Sequence, residues 1–420
     1  MSLVFNYDKD LPKVTPLKEE YLRNQVLTIK NIFQPEQKSK EWYEMRSNML
    51  TASDWGTVLG ENHYSNSNEV LKKKCGDDNF VTNAAMQWGN KYEEVAVLIY
   101  KNRNNVDVWE FGCLRHPSIP FLGASPDGIT PDGIMLEIKC PTSRKITGIP
   151  PRYYWCQVQG QLEVCELDRC DFLECALKEY ESETDYLNDN FENNYKLNKY
   201  GNEKGVVVEF FRKNDKSFYF DYSPVCIIDD ELTNWKNKII EKHTVDNNIM
   251  FSSFSYWYLE EVSCIPIYRN QEWFNEAKVI LGEFWTKVLK YRELGLPKLL
   301  EDLQNEKDEK KQIRLMKKEE AVIKKEEALT KKESLKKERA LKKEESTKKQ
   351  KKIREFIILD DITSEPKIIY KKDDDYNDDN KLSENSSNND IEEDDTEDED
   401  DFVFQTQTTT SLFSSKSIFK

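Results

Sequence analysis

The 420-residue sequence has only three histidines, His63, His116 and His243, too scattered to suggest a zinc site or a nucleophile–histidine–acid triad. Its nine cysteines include no Cys-x-x-Cys pair, and the odd count suits free buried thiols in a reducing compartment. Cys156, Cys165, Cys170 and Cys175 fall close together but lack the tight pair typical of iron–sulfur ligands. No apolar run approaches the ~18 residues that cross a bilayer. The start, Met1 to Asp8, has no basic-then-apolar leader. The expectation is a soluble intracellular protein, neither secreted nor membrane-bound.

What is present is concentrated around one strand. Met135 to Cys140 alternates apolar and charged residues, so Glu137 and Lys139 project from one face while Leu136 and Ile138 face the other way. Ser125-Pro-Asp127-Gly128 ends a preceding short strand, and Thr130-Pro-Asp-Gly133 supplies turn residues, so a hairpin brings Asp127 alongside Glu137. Two carboxylates without His or thiolate partners make a hard oxygen site suited to Mg²⁺, with Mn²⁺ as substitute. Such an ion can clamp a scissile phosphate and acidify water, and Lys139 can orient the water and offset developing negative charge. An ordinary surface hairpin carrying these charges is the alternative that the motif alone leaves open.

Three further blocks accompany it in order. They are Trp42-Tyr-Glu-Met-Arg46 with Leu50-Thr-Ala-Ser53, Trp88-Gly-Asn-Lys-Tyr-Glu93, and Gln157-Val-Gln-Gly-Gln161. With these blocks the chain resembles the YqaJ-type viral recombinase, lambda-exonuclease-like nucleases of the PD-(D/E)XK (restriction-endonuclease-like) superfamily, over roughly residues 35 to 180. The resemblance implies an α/β restriction-endonuclease-like core, a mixed central sheet flanked by helices. It implies a Mg²⁺-dependent 5′-to-3′ exonuclease on duplex DNA ends, leaving a 3′ strand for a single-strand annealing protein in recombination or repair. Asp127, Glu137, Lys139, Glu93 and Gln157 would be catalytic. Asp127, Glu137, Glu93 and the backbone carbonyl of Ile138 would hold metal. Arg46, Ser53 and Ser125 would grip a 5′-phosphate, and Gln161 would also contact DNA. Trimers occur in the family. The competing classes are a sequence-independent endonuclease with the same metal site and a noncatalytic DNA-binding scaffold.

The residues support these roles unequally. Glu93 lies on a helical pattern from Ala84 to about Asn102, with Met86, Tyr92, Val95, Ala96 and Ile99 near one apolar face; a solvated glutamate beside Glu94 is the plain alternative. Gln157 and Gln161 share a face of a helix beginning near Tyr153.

The expected organisation is an N-terminal extension (1–34), the nuclease domain (35–225), a helical extension packed on it (226–298), a charged helix (299–356) and a disordered acidic tail (357–420). Strands at 205–211 and 217–222 read as a hairpin, and 229–245 and 271–295 as helices. Trp273, Phe274, Val279, Ile280, Phe284, Trp285 and Val288 are expected to seal the core. In the charged segment Leu329, Leu335 and Leu341 are six apart, which rotates them off any common seam, and Glu precedes Lys by four at five places. A solvated single helix is preferred, with a short coiled coil over Leu315, Val322 and Leu329 as the alternative. Residues 373–401 carry sixteen Asp or Glu against one Lys, a net −15 of the chain's −16. The remainder is nearly neutral and can concentrate basic residues such as Arg144, Lys145 and Arg152 beside the active strand.

Overall fold

The structure, a computed structural model, describes residues 16–37, 39–77 and 83–360. The chain divides after Lys325 into two units. Its first elements are helix α1 (Pro16–Asn31), α2 (Lys40–Ser47), strand β1 (Leu50–Thr51), α3 (Ala52–Val58), α4 (Ser67–Lys74) and α5 (Ala84–Asn104). Strands β2 (Leu114–Arg115), β3 (Leu122–Ala124), β4 (Gly128–Ile129) and β5 (Ile134–Lys139) follow, then α6 (Arg152–Cys165), β6 (Arg169–Glu179) and α7 (Glu183–Asn188). The chain continues through β7 (Lys204–Arg212), β8 (Ser217–Tyr222), α8 (Asp229–Thr244), β9 (Ile249–Tyr268), α9 (Gln271–Leu294) and α10 (Leu296–Asp360).

The main sheet is mixed, in the order β4-β5-β6-β9-β7-β8, and β1, β3 and β2 form a small second sheet. Strands β5 and β6 are parallel, with Glu137 opposite Phe172 and Lys139 opposite Glu174, and α6 supplies the crossover that a parallel pair needs. The period-two pattern of β5 sorts its side chains by face. Met135 joins a core with α1 and α6, through Leu22, Val26, Val158 and Leu162, whereas Leu136 and Ile138 pack with Tyr92, Val95 and Ile99 of α5. Glu137 and Lys139 therefore lie under α6. A side chain at Gly160 would place its Cβ 2.9 Å from both Ala52 Cβ and the Trp55 ring, so the bare glycine lets α3 close onto α6. That contact brings the start of α3, which carries Ser53, onto the helix that carries Gln157 and Gln161.

The expected hairpin is β7 and β8, paired antiparallel from Val207–Tyr222 to Arg212–Ser217. Segment 226–298, expected to be a helical extension, holds α8 and α9 but also the 20-residue strand β9, hydrogen-bonded between β6 and β7. Its aromatic and β-branched residues, from Ile249 and Phe251 through Tyr256, Trp257 and Val262 to Ile267, suit a pleated half-buried surface; helical periodicity on both sides drew attention from them. Helix α1, expected within an N-terminal extension, buries Leu22, Val26 and Ile29 in the core. On α9, Phe274, Trp285 and Val288 are buried, but Val279 and Ile280 are about half exposed. Likewise Met86 is exposed while Tyr92, Val95, Ala96 and Ile99 are buried.

Helix α10 anchors its start through Leu299 and Leu303, which pack in a cluster with α9. In the single chain Leu315, Val322 and Leu329 are each more than half exposed, and Lys342 and Lys348 pair with Glu338 and Glu344 four residues earlier. The tail from 361 and the chain before 16 lie outside the described residues. No described helix is long and apolar enough to cross a membrane.

Candidate active site

Gly128 pairs with Leu136 and Ile129 with Met135, so Asp127, one step further, comes beside Glu137. The Ile138 N–H donates to Asp127 Oδ2 at 2.6 Å, and the Asp127 N–H donates to the Leu136 carbonyl at 3.3 Å. Glycine follows Asp127 because a Cβ there would lie 2.3 Å from Val108 Cγ1. Glu137 is fully buried. Its Oε1 accepts from the Lys139 ammonium and, at 2.7 Å, from Gln157 Nε2; its Oε2 accepts from Gln161 Nε2 at 2.6 Å. The Lys139 ammonium also lies 4.7 Å from the centre of the Tyr154 ring.

These charges perturb one another. Burial, then Glu137 and Glu93, push the Asp127 carboxyl well above the usual carboxylate range, only partly offset by Lys139 and the Ile138 N–H. Burial works against the Lys139 ammonium, but Glu137 and Asp127 outweigh it and its pKa is raised. Glu93 on α5 is thus close enough to act on Asp127. Its neighbour Glu94 is pushed up to about 7 by burial and by Glu110, against Lys101, with a smaller push from Glu93.

The pair Asp127 and Glu137 is short of positive charge and offers hard oxygens, the donor chemistry that fits a small divalent cation. Among the described residues no group of three or more His, Cys, Asp or Glu side chains is placed to hold an ion. The fit is therefore of the kind in which one or two carboxylates share the ion with water and substrate phosphate. All nine cysteines are free thiols, with Cys156, Cys165, Cys170 and Cys175 buried and Cys264 exposed.

A second cluster adjoins the first. Arg46 Nη1 donates to Ser125 Oγ and Nη2 to Ser53 Oγ, each at 3.2 Å, while the guanidinium lies 4.3 Å from the centre of the Trp42 ring. A planar fork held between two hydroxyls is ready to meet an oxyanion such as a phosphate. Gln161 joins the two clusters, since its Nε2 also lies 3.3 Å from the Ser125 carbonyl.

Sequence reasoning missed Tyr154, Glu174, Asp54 and Lys74. Glu174 is fully buried and accepts from Arg144, and its Oε2 has no hydrogen-bond partner. An acidic residue inside the apolar run Phe172-Leu-Glu-Cys-Ala-Leu177 was the available signal. Asp54 and Lys74 form a 2.9 Å ion pair, both nearly out of solvent.

Acid should weaken the fold through two carboxyls. Burial pushes Asp54 up, but Lys74 and Lys73 pull harder and hold it at about 2. Burial pushes Glu163 up as well, but His116 and Arg269, whose Nε donates to Glu163 Oε2 at 2.7 Å, hold it at about 2. Both folded pKa values lie below the unfolded ones, so the unfolded chain binds more protons on acidification. The stabilisation is complete above about pH 5 and is lost as pH falls from about 4 through 2, with about 2 kcal/mol for Asp54. Thermal melts from pH 6 to 2.5 should show the fall, and Asp54→Asn should reduce its slope; an equal slope in the variant contradicts this assignment.

With this geometry in view, residues 41–168 match the YqaJ-like viral recombinase domain. The match takes in every candidate site residue, from Arg46 to Gln161. An uncharacterized protein of Acanthamoeba polyphaga mimivirus is 36% identical over 344 residues, covering 73% of this chain and 63% of that protein. A protein of African swine fever virus is 26% identical over 160 residues, 30% of this chain and 46% of that one. The chain thus spans less than two thirds of the length of either relative. Among solved structures, the chain is similar to the alkaline exonuclease LHK-Exo from Laribacter hongkongensis (20% identity, 63% of this chain, 100% of that chain, TM-score 0.37). A phage related exonuclease from Haemophilus somnus shows 13% identity over 61% of this chain and 96% of that chain, with a TM-score of 0.31. Likenesses of that size carry no argument about activity.

Proposed function

We propose that this chain is a divalent-metal-dependent deoxyribonuclease that degrades duplex DNA from 5′ ends. The observation that carries the reading is the double contact of Gln161, which ties the Asp127–Glu137 pair to the Arg46–Ser53–Ser125 fork. Ser125 and Asp127 are two residues apart on one turn, so a terminal phosphate in the fork sets the next phosphodiester beside the carboxylates. A general surface endonuclease has no use for such a fork.

Asp127 and Glu137 would hold the ion, with Glu93 acting through water and the Ile138 carbonyl as a further oxygen donor. The bound ion supplies charge for the phosphoryl oxygens and an acidified water. Lys139 stays protonated at neutral pH, so it donates to the phosphoryl oxygens and orients the attacking water. Gln157 and Gln161 fix both Glu137 oxygens in place, and α6 with Tyr154 covers the site from solvent. By the family resemblance the ion is Mg²⁺ with Mn²⁺ as substitute, the 3′ strand left behind goes to a single-strand annealing protein, and the assembly is a trimer.

The test is digestion of 5′-phosphorylated linear and covalently closed circular duplexes, each with Mg²⁺ and with EDTA. Linear DNA should disappear only with Mg²⁺ and circles should stay intact. Circles cut as fast as linear ends would leave an endonuclease, and digestion in EDTA would remove the metal from the mechanism.

A further inference from the structure

Helix α2 carries Arg46 but has only eight residues, none of them buried. A helix that short does not hold itself in water, so the position of the fork depends on what grips the α2 end from outside. One buried side chain grips Arg46 itself. Lys74, at the end of α4 and 4% exposed, donates from Nζ to the Arg46 carbonyl at 3.0 Å and pairs with Asp54 Oδ2 at 2.9 Å. Asp54 Oδ2 in turn accepts from Thr51 Oγ1 at 2.8 Å and Thr51 N–H at 3.2 Å, closing the N-cap of α3 one residue ahead of Ala52 and Ser53. A single ammonium therefore pins the helix end bearing Arg46 to the helix start bearing Ser53.

The grip is anchored in the core. Arg292 on α9 donates from Nε to the Lys74 carbonyl at 2.8 Å, from Nη2 to the Ser47 carbonyl at 2.6 Å and from Nη1 to Asn48 Oδ1 at 3.2 Å. Its helix is held by Phe274, Leu281, Trp285 and Val288 in a buried cluster with Trp55 of α3. A buried ion pair gives little net stability over an apolar pair of the same volume. What an ammonium adds is direction, because its three donors can join groups from separate elements.

We propose that Lys74 is a positioning residue for DNA-end recognition, setting the Arg46 fork against Ser53 without touching the DNA. This rests on Arg46, Ser53 and Ser125 being the 5′-phosphate pocket. The consequence is a division of labour: the carboxylate site performs hydrolysis, and the Asp54–Lys74–Arg292 network determines how strongly a 5′-phosphate is preferred over a 5′-hydroxyl.

The test uses full-length protein and duplexes ending in 5′-phosphate or 5′-hydroxyl. Lys74→Met is combined with Asp54→Asn so that no buried charge is left unpaired, and Arg292→Ala is made separately. In the double variant the ratio of kcat/KM for phosphate over hydroxyl ends should fall at least tenfold, through KM, with kcat within twofold of the wild type. Arg292→Ala should lower the ratio in the same direction, by about threefold, and Lys74→Arg, which keeps the charge beside Asp54, should recover part of it. An undiminished ratio in the folded double variant overturns the proposal. If that variant does not fold, an undiminished ratio in Arg292→Ala overturns it instead. A wild type without any phosphate preference overturns the pocket itself, and the role of Lys74 with it.

Discussion

Glu137→Gln is expected to lower nuclease turnover by at least about 10³-fold, about 4 kcal/mol of barrier, while the protein stays folded. The substitution keeps shape and volume, so the buried site meets no cavity. It removes one of two carboxylates from a donor set that has no third tightly placed acidic ligand among the described residues. It also replaces the acceptor of Lys139, Gln157 and Gln161 with a group that can accept at one atom only, so the ammonium loses its fixed direction. Repulsion on Asp127 falls at the same time, because Glu137 is the largest charged contribution to the raised Asp127 pKa. Near-UV circular dichroism and a melting temperature within a few degrees of the wild type would show that the loss is chemical. A variant with more than a tenth of normal turnover would put the reaction elsewhere.

Arg46→Ala should act on substrate choice rather than on the chemical step. Its two guanidinium nitrogens each reach a serine hydroxyl at 3.2 Å, and a phosphate entering between them would gain charge-assisted hydrogen bonds of about 1.5–3 kcal/mol. The expected effect is a loss of about 10²-fold in kcat/KM on 5′-phosphorylated ends and less than about threefold on 5′-hydroxyl ends. Arg46→Lys should recover little, because a point charge cannot replace the planar fork that spans Ser53 and Ser125. Equal losses on both ends would make Arg46 a support of the fold.

The strand carrying Glu137 and Lys139 was legible because a half-buried strand must alternate, and the turn residues before it left one place for Asp127. The hairpin of β7 and β8 and helices α5, α6, α8 and α9 were legible for similar local reasons. What escaped was non-local. Nothing near Ile249–Tyr268 announces that it will lie between β6 and β7, pairing with residues 37 to 99 positions earlier in the chain, such as Cys175 with Val262. Lys74 meets Arg46 from 28 residues away, and Arg292 meets Ser47 from 245. Such partners leave no periodic trace. Glu174 left one, a charge inside an apolar run, and its partner Arg144 lies 30 residues earlier in the chain. The helix α10 was legible from composition, since its Glu and Lys spacing satisfies itself.

The most direct test of the buried carboxylate pair as the reaction centre is one digestion run side by side. A 5′-phosphorylated linear duplex is incubated in Mg²⁺ with the wild type and with Glu137→Gln, and acid-soluble nucleotide is followed over time. If the pair is the centre, the wild type releases nucleotide to completion and the variant leaves the duplex intact over the same interval. Equal release by both would contradict it.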